Sequence, residues 1–480
     1  MQTEAVSIEQ FFLGCLAHAS YLISSNGIAA VIDPQRDVDI YIDTAREQGL
    51  KIEHIIETHL HADFVSGHHE LADRTGARIY IGAASGATFP HVPVRDGDSL
   101  QFGKCRFDFL ETPGHTVESI CAVLTDLTQP SRPRAVFTGD TLFVGDVGRP
   151  DLSVEHTPQE LAALLYKSLH EKLLTLPDET EIFPAHGAGS LCGRQVGTER
   201  SSTIGKERRF NYALQARTPE EFVHLLTDSL PPRPEYFGRD VELNRQGAAA
   251  LDQLPPLSPL KAGEVLRLQS EDAVVLDTRP SVQFAVGHVP GSLHISLSGQ
   301  FASWAARILG LDKRIILVSE DPDHLRESQL RLARVGIEDV DGYLENGIAG
   351  WIEAGLGLEY TPGLRLEQIP RLELDYIPQI SPKEFTKLLE SDKEKIVVLD
   401  VREPGEVAAG AIENSIRIPL GQLSARTGEL DPGRLIVVHC KGGYRSAIAT
   451  SILRRAGFRD IADLTGGFDA WEAAKALAAS

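Results

Sequence analysis

The sequence predicts an α/β protein made of three domains. The chain has 480 residues, which at roughly 100 to 200 residues per domain corresponds to about three. Hydrophobic content of 42% and charged content of 24% are typical of globular domains that bury a core. Short β-branched runs alternate with helical patterns, and the second half of the chain repeats itself. We expect the domains over residues 1–240, 258–362 and 378–480.

Composition and charge disfavour several classes of partner. The net charge of −21 disfavours nucleic acid and anionic membrane surfaces. No apolar run reaches the roughly 18 residues of a membrane helix, and the polar start at residues 1–5 has no signal-peptide pattern. The five cysteines form no CxxC pair, so each thiol is interpreted singly, as in a reducing compartment. We expect a cytoplasmic homo-oligomer that binds small molecules and contacts no membrane.

The first half carries a histidine-rich run after a strand predicted at 52–57. His59, His61 and Asp63 follow the spacing of a His-x-His-x-Asp-His run, which builds a two-metal site, but Phe64 stands in the last position. Because a phenyl ring cannot donate to a metal, the second ion loses a ligand. The pattern continues with a histidine in a turn, a carboxylate after an apolar strand, and a late histidine: His115, Asp140 and His186.

These four motifs, in this order, resemble the metallo-β-lactamase superfamily and, within it, the persulfide dioxygenases. The resemblance covers roughly residues 8 to 215 and implies an αββα sandwich. It implies that the metal ligands are two histidines and one carboxylate, a set with open positions that suits one Fe(II) per chain: His59, His115 and Asp140. Arg149 matches a family position near the thiol substrate, where it would pair with a carboxylate. The role of three further residues stays open: His61, Asp63 and His186 are remnants of a second site, groups that orient the ligands, or ligands of a second metal.

The second half contains a duplicated domain. Residues 274–279 and 397–402 match at an offset of 123, and Gly347 with Gly467 at an offset of 120. Each copy alternates short apolar strands with helical patterns, which favours a small parallel α/β sheet. Proline-rich stretches that separate the parts lie at 231–240, 254–259 and 360–370.

The second copy carries Cys440 directly after a predicted strand and before a helix predicted from Ala447 to Arg455. A cysteine there faces backbone N–H groups and a helix start, which stabilise a thiolate and can hold a persulfide sulfur. The loop resembles that of a rhodanese, a sulfurtransferase whose cysteine carries sulfane sulfur; a phosphatase-like cradle is the alternative, although its loop is usually one residue longer. Cys440 and Arg445 are expected to be catalytic, with Arg445 offering a charged fork towards an anionic sulfur donor or acceptor. The residues expected to bind that substrate are Lys441, Gly442, Gly443 and Tyr444.

Two further positions are interpreted from their surroundings. In the first copy Glu320 stands where Cys440 does, so that copy is expected to be structural, a spacer or a docking surface. Cys192 follows His186 by six residues, so its loop should begin at the rim of the metal site. Its thiol is a candidate catalytic group, a persulfide acceptor or relay beside the iron, or else a small residue packed in a glycine-rich turn.

Together the two resemblances imply an enzyme that handles sulfane sulfur. The dioxygenase family oxidises a thiol persulfide, commonly glutathione persulfide, with O2 to sulfite and the thiol. The rhodanese would supply persulfide to the iron or move sulfane sulfur onto sulfite, giving or using thiosulfate, in sulfide detoxification. One alternative is a glyoxalase II-like thioester hydrolase with a dinuclear zinc site fused to a sulfur carrier, against which Phe64 argues. The other is a non-catalytic persulfide sensor.

Overall fold

The computed structural model describes residues 6–153, 155–228, 230, 232–358, 379–391 and 395–479. The chain forms two compact units, one of residues 1–254 with 332–336 and one of residues 255–331 with 337–480. The predicted domain limits at 362 and 378, and the proline-rich stretch at 360–370, lie outside the described residues. In the part of the chain that is described, no helix has both the length and the apolar character needed to cross a membrane.

The first unit contains two six-stranded mixed sheets, with strand orders β1-β2-β3-β4-β5-β6 and β12-β11-β10-β9-β8-β7. Its strands are β1 (Ser7–Leu13), β2 (His18–Ser25), β3 (Ile28–Ile32), β4 (Lys51–Glu57), β5 (Arg78–Gly82), β6 (Val92–Val94), β7 (Ser99–Phe102), β8 (Cys105–Glu111), β9 (Ile120–Asp126), β10 (Ala135–Gly139), β11 (Glu181–Pro184) and β12 (Ser202–Thr203). Its helices are α1 (Asp39–Gln48), α2 (His68–Thr75), α3 (Pro158–Lys167), α4 (Ile204–Phe210), α5 (Pro219–Thr227) and α6 (Phe237–Gln246). Shorter turns are a π-helical stretch at Ser168–Lys172 and 3-10 segments at Leu173–Thr175, Tyr212–Gln215 and Leu251–Gln253.

Side-chain alternation along the strands builds four layers, as the αββα prediction requires. Tyr21 and Ile23 of β2 face the second sheet and pack with Phe107 of β8, whereas Leu22 faces α1 and α2. On the other side, β9, β10 and β11 bury side chains against α3 and α5, including Phe222. The predicted sandwich is therefore confirmed, with one apolar core between the sheets and one under each helical layer.

The carboxyl ends of β4 and β10 approach each other closely. Gly139 ends β10 with a φ of +50°, and a Cβ on it would lie 2.4 Å from Thr58 Oγ1, just after β4. Only glycine permits this approach, because any side chain would collide with Thr58. The residues that follow these two strands are thus brought together.

The second unit holds two five-stranded sheets of the same topology, β13-β17-β16-β14-β15 and β18-β22-β21-β19-β20, and all their described pairings are parallel. The first copy comprises β13 (Pro259–Leu260), α7 (Ala262–Ser270), β14 (Val274–Asp277), α8 (Ser281–Val286), β15 (Leu293–His294), α9 (Phe301–Leu309), β16 (Ile315–Val318), α10 (Pro322–Ala333), β17 (Val340–Leu344) and α11 (Gly347–Glu353). The second comprises β18 (Gln379–Ile380), α12 (Pro382–Ser391), β19 (Ile396–Asp400), α13 (Pro404–Ala408), β20 (Ile416–Arg417), α14 (Leu420–Arg426), a 3-10 turn (Thr427–Glu429), β21 (Leu435–His439), α15 (Tyr444–Arg455), β22 (Ile461–Leu464) and α16 (Gly467–Ala479). The predicted pair of small parallel-sheet α/β domains is confirmed.

Candidate metal and sulfur sites

Three predicted ligands meet in the first unit. His59 follows β4, His115 lies in the turn after β8, and Asp140 follows β10. Nε2 of His115 lies 3.3 Å from Asp140 Oδ2, and Nε2 of His59 lies 3.8 Å from the same oxygen. All three side chains are buried, and their donor atoms lie within 4.8 Å of one another.

Hydrogen bonds fix which atoms of the two histidines face this point. Nδ1 of His59 is 3.0 Å from Thr58 Oγ1, and Nδ1 of His115 is 3.0 Å from the Arg149 carbonyl oxygen. Both Nε2 atoms and both Asp140 oxygens are buried without a hydrogen bond to any residue that the structure describes. Buried polar atoms without partners are rare, so this convergence fits a bound cation. Burial holds the pKa of His59 well below its usual range and also lowers that of His115, which favours the neutral imidazoles that bind metals.

A second group of donors lies next to the first, formed by His61, Asp63 and His186. His186 Nε2 is 3.5 Å from Asp63 Oδ2 and 3.6 Å from Asp140 Oδ1. Burial lowers the pKa of His186, but the carboxylates of Asp140 and Asp63 outweigh it and raise the pKa to about 9. Their roles as ligands or orienting groups stay open.

His61 also faces two buried carboxylates that the sequence interpretation missed. Its Nε2 is 3.3 Å from Asp33 Oδ1 and 3.7 Å from Glu57 Oε2. Asp33 in turn accepts hydrogen bonds from the amide and hydroxyl of Thr58, at 2.7 and 2.9 Å. Asp33 therefore supports both histidines of the His-x-His pair. Its position directly after the apolar run of β3 was the available signal.

Phe64 fills the space beside the second group. Its side chain is fully buried, and its ring centroid lies 4.1 Å from that of His18 and 4.4 Å from that of His61. His18 opens β2, and its ring also lies 5.6 Å from that of His186. Nothing near His18 in the sequence indicates this placement, because the contact depends on the sheet.

Cys192 lies at the edge of the metal centre. Its sulfur belongs to a group of possible donors with Asp140 and His186, and its side chain is fully buried. Asp146 holds the loop, because its Oδ2 accepts the amides of Arg194 and Gln195, both at 2.6 Å. Burial, followed by the nearby carboxylates, raises the pKa of the Cys192 thiol well above its usual value. The thiol is thus placed beside the metal ligands, while its role stays a prediction.

Arg149 is already engaged within the protein. Its Nε and Nη2 donate to the two carboxylate oxygens of Asp151 at 2.6 and 2.8 Å, and its Nη1 donates to the Leu191 carbonyl at 3.2 Å. Its backbone also touches the site, since its carbonyl holds His115 and its amide donates to the Cys192 carbonyl at 2.9 Å. The pairing of this guanidinium with a substrate carboxylate stays a prediction.

The second site lies in the second of the two repeated domains, where Cys440 follows β21. The Gly443 amide donates to the Cys440 sulfur at 3.1 Å, and Ser446 Oγ lies 3.6 Å from it. Helix α15 begins at Tyr444, three residues before the predicted start, because Gly443 with a φ of +106° turns the chain into the helix. The helix start is therefore closer to the Cys440 sulfur than the sequence indicated.

The residues around Cys440 divide into exposed and anchored groups. Lys441 and Gly442 are exposed. Arg445 is held by Glu406 through two hydrogen bonds of 2.6 Å. Burial raises the pKa of Glu406, but the Arg445 guanidinium outweighs it and lowers the pKa. Direct binding of an anion by Arg445 stays a prediction.

The first copy has a carboxylate where the second has its thiol. Glu320 Oε1 accepts the amide of Ile348, at the start of α11, at 3.1 Å and lies 3.6 Å from Arg279 Nη1. In the second copy the matching amide, that of Phe468, instead donates to the backbone carbonyl of Cys440 at 2.8 Å. Glu320 therefore occupies the sequence position that Cys440 has in the second copy and anchors a helix start there.

Comparisons with known proteins agree with this arrangement. Residues 13–186 match the metallo-beta-lactamase superfamily, and residues 261–354 and 381–474 each match the rhodanese-like domain. The persulfide dioxygenase ETHE1 of Bos taurus is 33% identical over 222 residues, covering 45% of this chain and 78% of its own. The hydroxyacylglutathione hydrolase of a Polaromonas species is 34% identical over 243 residues, covering 45% and 88%.

A solved metallo-beta-lactamase structure from Staphylococcus aureus extends the likeness beyond the first unit. It is 33% identical, with a TM-score of 0.64, and the match covers 72% of this chain and 99% of that one. The shared sequence, the αββα fold and the His-Asp donor groups together define the family. The chain is a member of the metallo-β-lactamase superfamily, related to the persulfide dioxygenases, that carries two rhodanese-like domains after its metallo-β-lactamase domain.

Proposed function

We propose that the chain is an iron-dependent persulfide dioxygenase joined to a thiosulfate sulfurtransferase. The observation that carries the first activity is the buried convergence of His59, His115 and Asp140, whose facing donor atoms have no other partner among the described residues. Relatedness to persulfide dioxygenases, at 33% identity over most of their length, favours the same chemistry. The overall reaction is RSSH + O2 + H2O → RSH + H2SO3, in which the outer sulfur is oxidised and O2 is reduced.

His59, His115 and Asp140 would hold one Fe(II) per chain. Bound there, Fe(II) would supply the open positions at which a sulfur substrate and O2 meet. The chain's own task is to keep the ligands oriented: Thr58 holds His59, and the Arg149 carbonyl holds His115. The side chains of His59, His115 and Asp140 are buried, and a site shielded in this way from bulk water would protect a persulfide from side reactions.

Cys192 is proposed as a persulfide acceptor or relay beside this centre. Thiol exchange, RSSH + Cys192–SH → RSH + Cys192–SSH, would leave the outer sulfur on the protein next to Asp140. Support comes from the loop that Asp146 fixes and from the position of the thiol among the donor residues. Arg149 is proposed to bind a carboxylate of a glutathione-type thiol, which would compete with Asp151 for its guanidinium.

Cys440 is proposed as the nucleophile of sulfur transfer. Its thiolate attacks the outer sulfur of thiosulfate, the sulfur–sulfur bond breaks, and sulfite leaves with the electron pair. A thiolate acceptor then takes that sulfur and regenerates Cys440, and the reverse sequence would form thiosulfate from sulfite. The Gly443 amide would stabilise the persulfide, while Lys441, Gly442, Tyr444 and Arg445 would border the donor. Coupled to the dioxygenase in the cytoplasm, in a homo-oligomer, this chemistry would serve sulfide detoxification.

A second candidate is a dinuclear zinc thioester hydrolase. The specific observation in its favour is the adjacent donor group of His61, Asp63 and His186, and the hydroxyacylglutathione hydrolase relatives agree with it. The two candidates separate in one experiment, which measures bound metals, O2 uptake with glutathione persulfide, and thioester hydrolysis. We expect about one iron per chain and O2 uptake. Two tightly bound zinc ions with thioester hydrolysis and no O2 uptake would establish the hydrolase instead.

A further inference from the structure

The active loop of the second rhodanese copy is in contact with the first copy. Tyr444, the first residue of α15, donates its hydroxyl to the Ser296 carbonyl at 2.9 Å. Ser296 belongs to a short segment after β15 that is braced internally, since its Oγ accepts the Ser298 hydroxyl at 3.0 Å. A residue next to the reactive cysteine loop is therefore tied to a domain that lacks the cysteine.

Gly299 shows how closely this segment meets the tyrosine ring. Its φ is +74°, and a Cβ added to it would lie 3.2 to 3.4 Å from three atoms of the Tyr444 ring. A side chain at position 299 would thus strain the backbone and displace the ring. The segment Ser296–Gly299 fixes the ring from one side by contact and at its hydroxyl by a hydrogen bond.

Two further hydrogen bonds join the two copies near Tyr444. The His294 amide donates to Ser451 Oγ of α15 at 3.2 Å. Arg307 Nη2 of α9 donates to Glu403 Oε1 at 3.2 Å, and Glu403 is the N-cap of α13, the helix that carries Glu406. The first copy therefore contacts α15, which begins beside the sulfur, and the N-cap of α13, whose Glu406 holds Arg445.

We propose that the first rhodanese copy is a positioning element of the second copy's sulfur site, in which Ser296–Gly299 holds Tyr444 and thereby the loop around the Cys440 sulfur. Tyr444 directly follows Gly443, whose amide donates to that sulfur, and directly precedes Arg445. A shift of the tyrosine moves both neighbours. This inference rests on the proposed sulfur transfer at Cys440. It assigns the first copy a role at that site in addition to that of a spacer.

The test compares two substitutions that loosen the contact with one that does not. Tyr444→Phe removes only the hydrogen bond, and Gly299→Ala displaces the ring. Gly355→Ala is the matched control, because Gly355 has the same φ of +74° but no atom of the described residues within 4 Å of its added Cβ. Each full-length variant is measured for thiosulfate-to-cyanide transfer and for the pH profile of Cys440 alkylation by iodoacetamide, followed on its peptide by mass spectrometry.

Loss of one neutral hydrogen bond predicts about a fivefold fall in kcat/KM for Tyr444→Phe. Gly299→Ala should cause at least that fall and change the pH profile of Cys440 alkylation, while Gly355→Ala leaves both unchanged. In a Tyr444→Ala background, Gly299→Ala should add nothing further. Identical profiles and rates for the Gly299 and Gly355 variants, with Tyr444→Phe like the unchanged protein, would overturn the inference. Because alkylation requires no sulfur transfer, its result holds even if the proposed activity fails.

Discussion

Replacing Phe64 with histidine should restore a ligand to the second donor group. The Phe64 ring is fully buried against His18 and His61. Truncating a buried phenylalanine to alanine costs about 3 to 5 kcal/mol, and an imidazole keeps part of the packing, so the metal-free Phe64→His protein should lose about 2 to 4 kcal/mol of unfolding free energy. A second metal held by Asp63, His186 and the new histidine would return about 2.7 kcal/mol at 100 times its dissociation constant.

The assay is urea denaturation of the metal-stripped protein with and without added zinc, together with metal analysis of the loaded protein. Phe64→Leu is the control, since it shortens the same side chain but supplies no donor. We expect zinc to stabilise the histidine variant more than the leucine variant and to add about one metal per chain. Equal zinc responses in the two variants would show that residue 64 does not limit the second site.

Four other substitutions test three separate parts of the molecule. His115→Ala and Asp140→Ala each remove a buried donor and should abolish O2 uptake with glutathione persulfide while thiosulfate-to-cyanide transfer stays within about twofold. Cys440→Ser should reduce that transfer at least about 100-fold, because a hydroxyl is a poor nucleophile at neutral pH; retained transfer would assign the reaction to another thiol. The lowered pKa of Glu406 means that its stabilising contribution is present above about pH 4.3, the unfolded value, and is lost as the pH falls through the folded value. Acid denaturation of the second unit should therefore lose part of its pH dependence in Glu406→Gln, and an unchanged curve would contradict this.

The site residues that belong to local sequence motifs could be predicted from the sequence. The strand before His59, the histidine in the turn at His115 and the carboxylate after a strand at Asp140 are local patterns, and the sheet ends bring them together. The duplicated half was equally accessible, because each copy repeats the same strand and helix order. The fold class followed from these patterns, since side-chain alternation and strand-to-helix order are properties of short segments.

Contacts between segments that are distant in the chain could not be predicted in this way. His18 lies beside Phe64 because of the way β2 is paired in the sheet. No residue near His18 in the sequence indicates this contact. Glu406, which holds Arg445, lies on a different helix and 39 residues earlier in the chain. Helix α15 begins three residues before the predicted start. Composition alone does not show that Gly443 has a positive φ and leads directly into the helix.

The carboxylate of Glu320 would make a sulfur site difficult to build in the first copy by a single substitution. It has taken over the role of a backbone carbonyl, because it accepts the Ile348 amide that begins α11 and lies beside Arg279. A cysteine introduced at position 320 would supply a thiol but leave that amide without its acceptor, at a cost of about 1 to 3 kcal/mol. A working sulfur loop in the first copy would therefore need a coordinated change in the loop and in the helix start, and a variant that changed only one of them would be less stable.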